Sequence, residues 1–192
     1  MKRHFLLVIA LSLLPPLLLR GQAVIKQHFD ATKALTLKGT VVGLALFRDR
    51  SYLILDVKDE GNMVQRWAIE GNDRDKLLQA GWKLPASPED PTAPATPADG
   101  GFNRPRVPYR GEMVTVIAYG PRVTTKIEDI LGSSPTRIGG VPEGLPADSP
   151  VARLAGGPLN VDLVDLFNRG RFAHGTVVTF ANADKLAFGA TP

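Results

Sequence analysis

The chain has 192 residues, with 23 Lys and Arg against 19 Asp and Glu, and no cysteine. The missing cysteine excludes disulfides, thiolate metal sites, cysteine nucleophiles and a lipid-anchored cysteine, so packing alone must hold the fold. The length suffices for one domain with a real core, and a net charge of +4 is a weak basis for nucleic-acid binding, which rests on clustered Lys and Arg.

The first element in chain order is an export signal. Lys2 and Arg3 open the chain, Phe5 to Leu19 is an uncharged Leu-rich run, and Gly21-Gln22-Ala23 sets small residues where a signal peptidase reads them. The run is short for a bilayer span and is interrupted by Pro15-Pro16, which argues against an uncleaved anchor. Residues 1–23 therefore read as a signal peptide cleaved after Ala23, with a periplasmic or secreted product and no transmembrane segment after cleavage. Cleavage removes Lys2, Arg3 and Arg20 and no acid, which lowers the basic count from 23 to 20 against 19 acidic residues. An exported domain without disulfides fits a periplasm better than an extracellular setting, where small domains are usually stapled.

Residues 24–192 read as a single domain. Leu35, Leu37, Gly39 and Val41 alternate with Thr36, Lys38 and Thr40, the period of a half-buried strand. The run continues through Val42, Leu44 and Leu46, so the buried parity changes near Val41-Val42. Gly39 and Gly43 flank that change, and glycine in a strand marks a bulge or a barrel corner. Arg48-Asp49-Arg50 is a polar turn. Tyr52 to Val57 is a second strand, with Leu53, Leu55 and Val57 on one face and Tyr52, Ile54 and Asp56 on the other. Lys58 to Asn62 is a hairpin loop, and Met63 to Glu70 a third strand with Trp67 and Ile69 inward. A short helix follows, with Asn72 as its expected N-cap, Leu77 and Leu78 on its buried side and Gly81 at its end.

Pro85, Pro88, Pro91, Pro94 and Pro97 recur every third residue, the period of polyproline II, so residues 83–108 read as a stiff, exposed loop. Gly111 to Tyr119 is a fourth strand. Residues 121–158 are rich in Gly, Pro and Ser without a sustained period and read as an irregular insertion. Asn160 to Arg169 reads as a helix capped by Asn160 and ended by Gly170. Thr176 to Phe180 and Lys185 to Phe188 close the domain as a hairpin around Ala181 to Asp184.

Three strands, a capped helix and two further strand segments follow the order of an OB-type barrel, in which a helix sits between strands three and four. The segments His28-Phe29-Asp30, Val41-Val42, Leu53 to Asp59, Trp67-Ala68-Ile69-Glu70 and Leu77 to Trp82 resemble an exported bacterial family, domain of unknown function 6152. Gly111, Glu112 and Val114 to Val116 resemble its Gly-Asp-x-Val-Thr-Val strand, and Val178-Thr179 with Asp184-Lys185-Leu186 its closing strands. The likeness spans residues 28–82, 109–120 and 174–189. The chain departs from the family in two places. Phe47 to Ser51 stands where the family has Asn-Pro-His, and its paired N-terminal histidines are reduced to His28. The resemblance implies an exported OB-like domain and implies no activity.

Three chemistries are weighed on these residues. For a metal, the mature chain offers only His28, with Asp30 beside it, and His174 far along the sequence. Metal sites of this kind need three or more convergent ligands, so an ordinary structural histidine is the simpler reading of each. For catalysis, no Gly-x-Ser-x-Gly elbow, His-Glu-x-x-His or phosphate-cradling loop is present, no motif calls for a cofactor, and Asp56, Asp59, Glu60 and Glu70 read as solvated strand charges. For ligand binding, OB barrels use the outer face of strands two and three. That face should show Tyr52, Ile54, Arg66 and Glu70, rimmed by Arg48 and Arg50, unless the insertions cover it and make Tyr52 and Ile54 core. The fold expected is mainly β, a small OB-like barrel with one or two short helices and two Pro/Gly-rich insertions. The function expected is an exported binding or structural module for a ligand or protein partner in the cell envelope. The alternative is a periplasmic metal-dependent protein or hydrolase using Asp, Glu and His28.

Overall fold

A computed structural model of the protein describes residues 25, 27–47, 49–84, 108, 110–139 and 160–192. The expected signal peptide, Arg48, the Pro-rich loop between Leu84 and Pro108, and the second insertion beyond Gly139 lie outside the described residues. The described part is mainly β. Strands β1 (Phe29–Leu46), β2 (Ser51–Lys58), β3 (Val64–Gly71), β4 (Met113–Pro121), β7 (Phe172–Phe180) and β8 (Lys185–Ala187) form a six-stranded sheet in the order β3-β2-β1-β4-β7-β8. Neighbours in that order run antiparallel. In addition β3 pairs in parallel with β7, Ala68 with Phe172 and Glu70 with His174. Strands β5 (Arg137–Ile138) and β6 (Val161–Asp162) make a separate two-stranded sheet, and three short helices complete the set: α1 (Arg74–Gln79), α2 (Ile127–Leu131) and α3 (Leu163–Asn168).

The long first strand changes parity as its sequence pattern requires. Val41 pairs with Leu55 and Gly43 with Ile54, so Val42 is the extra residue of a bulge. Gly39 sits where β1 and β2 approach too closely for a side chain: a Cβ there would lie 2.9 Å from the Asp56 carbonyl oxygen. The β2–β3 hairpin is closed by Asp59, whose Oδ1 accepts from the backbone N–H of Gly61 and Met63, while Asn62 takes a positive φ of 64°.

Both helix starts differ from the sequence reading by a residue or more. Asp73, not Asn72, caps α1 and accepts from the Lys76 N–H at 2.9 Å, while the Asn72 N–H donates to the Phe188 carbonyl. Leu77 is buried, but Leu78 is 39% exposed, since so short a helix turns only a narrow face to the sheet. Asp162, not Asn160, caps α3 and accepts from the Val164 and Asp165 N–H groups. The segment read as an irregular insertion contains α2 and β5; five- and two-residue elements are too short to show a period.

The sheet buries both faces. On one, Leu37, Val41, Leu53, Leu55, Ile69 and Val178 pack with Leu77 and Trp82, and half-buried Trp67 packs against them. The Trp82 indole N–H donates to the Ala187 carbonyl at 2.7 Å, and its ring meets Phe180 and Phe188. On the other face, Phe29, Tyr52, Ile54, Ala68 and Phe172 form a second core with Ile127, Ile130, Leu131, Leu163 and Leu166. No helix among the described residues is long and apolar enough to cross a membrane.

Candidate functional site

The outward residues of β2 and β3 fall into two unlike halves. At one end stand Tyr52, Ile54, Ala68 and Glu70. Tyr52 and Ile54 are fully buried and Glu70 is 9% exposed, which corrects the expectations that Tyr52 and Ile54 line an open face and that Glu70 is a solvated strand charge: α2, β5, β6 and α3 lie over this end. Of the predicted site residues, the fold brings Arg50, Tyr52 and Glu70 together beneath this cover and adds His174 from β7. Arg66 stands apart at the other end. Arg48 lies outside the described residues.

The covered group is an ionisable cluster. Arg50 Nη1 donates to the Ile130 carbonyl of α2 and lies 3.7 Å from Glu70 Oε2, while its Nε and Nη2 both donate to Asp49 Oδ2. On its far side Glu70 Oε1 lies 3.9 Å from His174 Nδ1. His174 Nε2 must carry the proton, because its partner at 2.9 Å is the Ala190 carbonyl, which only accepts. That leaves Nδ1 a bare lone pair facing the carboxyl. Burial pushes Glu70 up to about 7, against the pull of Arg50, and burial pushes His174 down to about 4. A neutral imidazole beside a carboxyl that holds its proton near neutrality is the consistent state of the pair. Burial, with Glu70 adding to it, also raises the Tyr52 hydroxyl, which feels the nearby guanidinium without making a well-aligned hydrogen bond. Both partners are buried, His174 at 1% and Glu70 at 9% exposure. They are distant in sequence, and only the β3–β7 pairing of Glu70 with His174 unites them.

The other end is open. Lys38, Gly39, Thr40, Asp56, Lys58, Val64 and Met113 line a concavity of about 520 Å³ that crosses β3, β2, β1 and β4. Gly39 pairs with Val57, so Lys38 and Lys58 come next in register on adjacent strands. Asp56 is taken by Arg66, whose Nε and Nη2 donate to its two carboxylate oxygens at 2.8 and 2.9 Å. Val64 and Met113 are 56% and 44% exposed. Apart from Asp56, this set was missed in the sequence. Its signal was the outward parity of Lys38 and Lys58, but their register depends on the Val42 bulge.

The metal candidates do not converge. Asp30 Oδ1 is engaged by the Thr32 N–H and hydroxyl, its pKa held low by those bonds, and the backbone carbonyl of His28 accepts from Arg122 and Thr125. Among the described residues no three His, Asp or Glu side chains gather as a metal site would need.

A model of a family of unknown function, DUF6152, matches residues 23–89. The match bears out the family resemblance and spans β1, β2, β3 and α1. No curated protein and no solved structure matches the chain.

Proposed function

We propose that the protein is an exported binding module on an OB-type barrel, which presents the uncovered half of the outer face of β2 and β3. The barrel reading is supported by the pairing circuit β3-β2-β1-β4-β7 and back to β3, with a parallel β3–β7 contact and α1 between β3 and β4. The export reading rests on the charged start, apolar run and small residues of 1–23. The observation that carries the binding reading is the concavity itself: about 520 Å³, within the range of small-molecule sites, on the strands that OB barrels use for ligands. The test is an NMR titration of the protein with glycans, short peptides and anionic small molecules. Shifts confined to Lys38, Thr40, Lys58, Val64 and Met113 are the expected result. Shifts confined to α2 and α3 would refute the assignment of the site.

A further inference from the structure

We infer that the concavity takes a small anionic amphiphile, a single phosphate or carboxylate head on an aliphatic body, with the head between Lys38 and Lys58 and the body against Val64, the cross-strand partner of Lys58. The inference rests on the binding-face reading above and adds the chemistry of the ligand.

Lys38 and Lys58 occupy the same step of adjacent strands and line the same hollow. Like charges at facing positions of a strand pair repel each other, and both lysines are exposed there. The single carboxylate in the lining, Asp56, is held by both prongs of Arg66 and is not free to neutralise the lysines. Neither lysine has an ion-pair partner among the described residues. An anion from outside the chain that bridges the two ammonium groups removes the repulsion and gains two charge-assisted hydrogen bonds.

The shape and the apolar flanks then select among anions. Val64 on β3 and Met113 on β4 stand on opposite sides of the lysine pair, both substantially exposed, and Met63 beside Val64 is 65% exposed. Inorganic phosphate would leave Val64 in water, whereas an aliphatic body running from the lysines toward β3 covers it and contributes roughly 25 cal/mol for each Å² of apolar surface removed from solvent. A flat bilayer does not enter a concave surface, and about 520 Å³ is the size of a small ligand. The soluble amphiphile is therefore the occupant, and a lipid surface is an outcome the test must separate.

The experiment is calorimetric titration of the protein with hexyl phosphate, inorganic phosphate and hexanol, paired with NMR shift mapping. Hexyl phosphate should bind at least tenfold more tightly than either fragment, with shifts at Lys38, Lys58 and Val64. Lys38→Gln combined with Lys58→Gln should lose at least tenfold in affinity while melting no lower than the parent, since it also removes a repulsion. Unchanged binding by that folded double variant would overturn the inference, as would capture of the protein by phosphatidylglycerol vesicles with no binding of hexyl phosphate. A neutral glycan or peptide that shifts the same residues where hexyl phosphate does not would overturn the anionic ligand alone. Hexyl phosphate shifts confined to α2 and α3 would overturn the binding face as well.

Discussion

Strands β2 and β3 carry two regions of the same outward parity with opposite fates. Tyr52, Ile54, Ala68 and Glu70 are buried under α2, β5, β6 and α3, whereas Asp56, Lys58, Val64 and Arg66 on the same strands face a solvent-open hollow or its rim. The covered residues are mostly apolar, and the elements above them bring Ile127, Ile130, Leu163 and Leu166; the open end has charges on three of its four positions. A single sheet face thus serves as a second core at one end and as a surface at the other. An outward position on a strand is not in itself evidence of exposure, because what crosses above it decides.

Truncating a branched aliphatic side chain in each region should separate them most. Ile54→Ala, in the covered half, should cost about 2–5 kcal/mol, read by chemical denaturation. Val64→Ala, in the open half, should stay within about 0.5 kcal/mol. Equal losses would show that the hollow is covered in solution.

Arg50 ties the cover to the strands, through the Ile130 carbonyl on one side and Glu70 on the other. Arg50→Gln removes the donor to the buried Ile130 carbonyl and the cation beside Glu70, which then holds its proton to higher pH, and should destabilise by about 1–3 kcal/mol. Hydrogen exchange should rise in α2 before it rises in the β1–β2 hairpin. Uniform exchange would argue that the cover and the sheet unfold together.

Opposite pH dependences should emerge from the Glu70–His174 pair. Glu70 is raised from 4.5 to about 7, so its contribution is full below pH 4.5 and is lost as pH rises through 7. His174 is lowered from 6.5 to about 4, so its contribution is full above pH 6.5 and is lost as pH falls through 4. In the parent protein the two slopes oppose each other between about pH 4.5 and 6.5, and the melting temperature should change little there. Glu70→Gln should melt progressively lower as pH falls from 6.5 to 4. His174→Asn should instead melt lower as pH rises from 4.5 to 7. Two variants with slopes of the same sign would show that the groups do not titrate as this geometry requires.

The smallest effect belongs to the open half. Lys58→Gln alone should leave the melting temperature unchanged or raise it slightly, by the equivalent of about 0.2–1 kcal/mol, because it relieves a cross-strand repulsion. A clear fall would mean that Lys58 pairs with an acid outside the described residues.

The sequence by itself determined the strands and their inward faces. Alternation placed Leu53, Leu55 and Ile69 in one core, and the parity change with its flanking glycines located the bulge at Val42. The segments from His28 to Trp82 were enough for the family resemblance, which the match over residues 23–89 bears out; that match does not reach 109–120 or 174–189. Helix caps were legible only to within a residue or two, because Asn72, Asp73, Asn160 and Asp162 are all competent caps. Tertiary structure alone decided the candidate sites. Whether Tyr52 met water depended on short elements without periodicity, and Glu70 met His174 through a parallel pairing between strands about a hundred residues apart. Lys38 faces Lys58 only because one bulged residue shifts the register of β1 against β2. Periodicity reports which side of a strand an atom occupies, and that is a local property of the backbone. What lies opposite or above it is set by long-range register and by the path of the connecting chain, on which local pattern is silent.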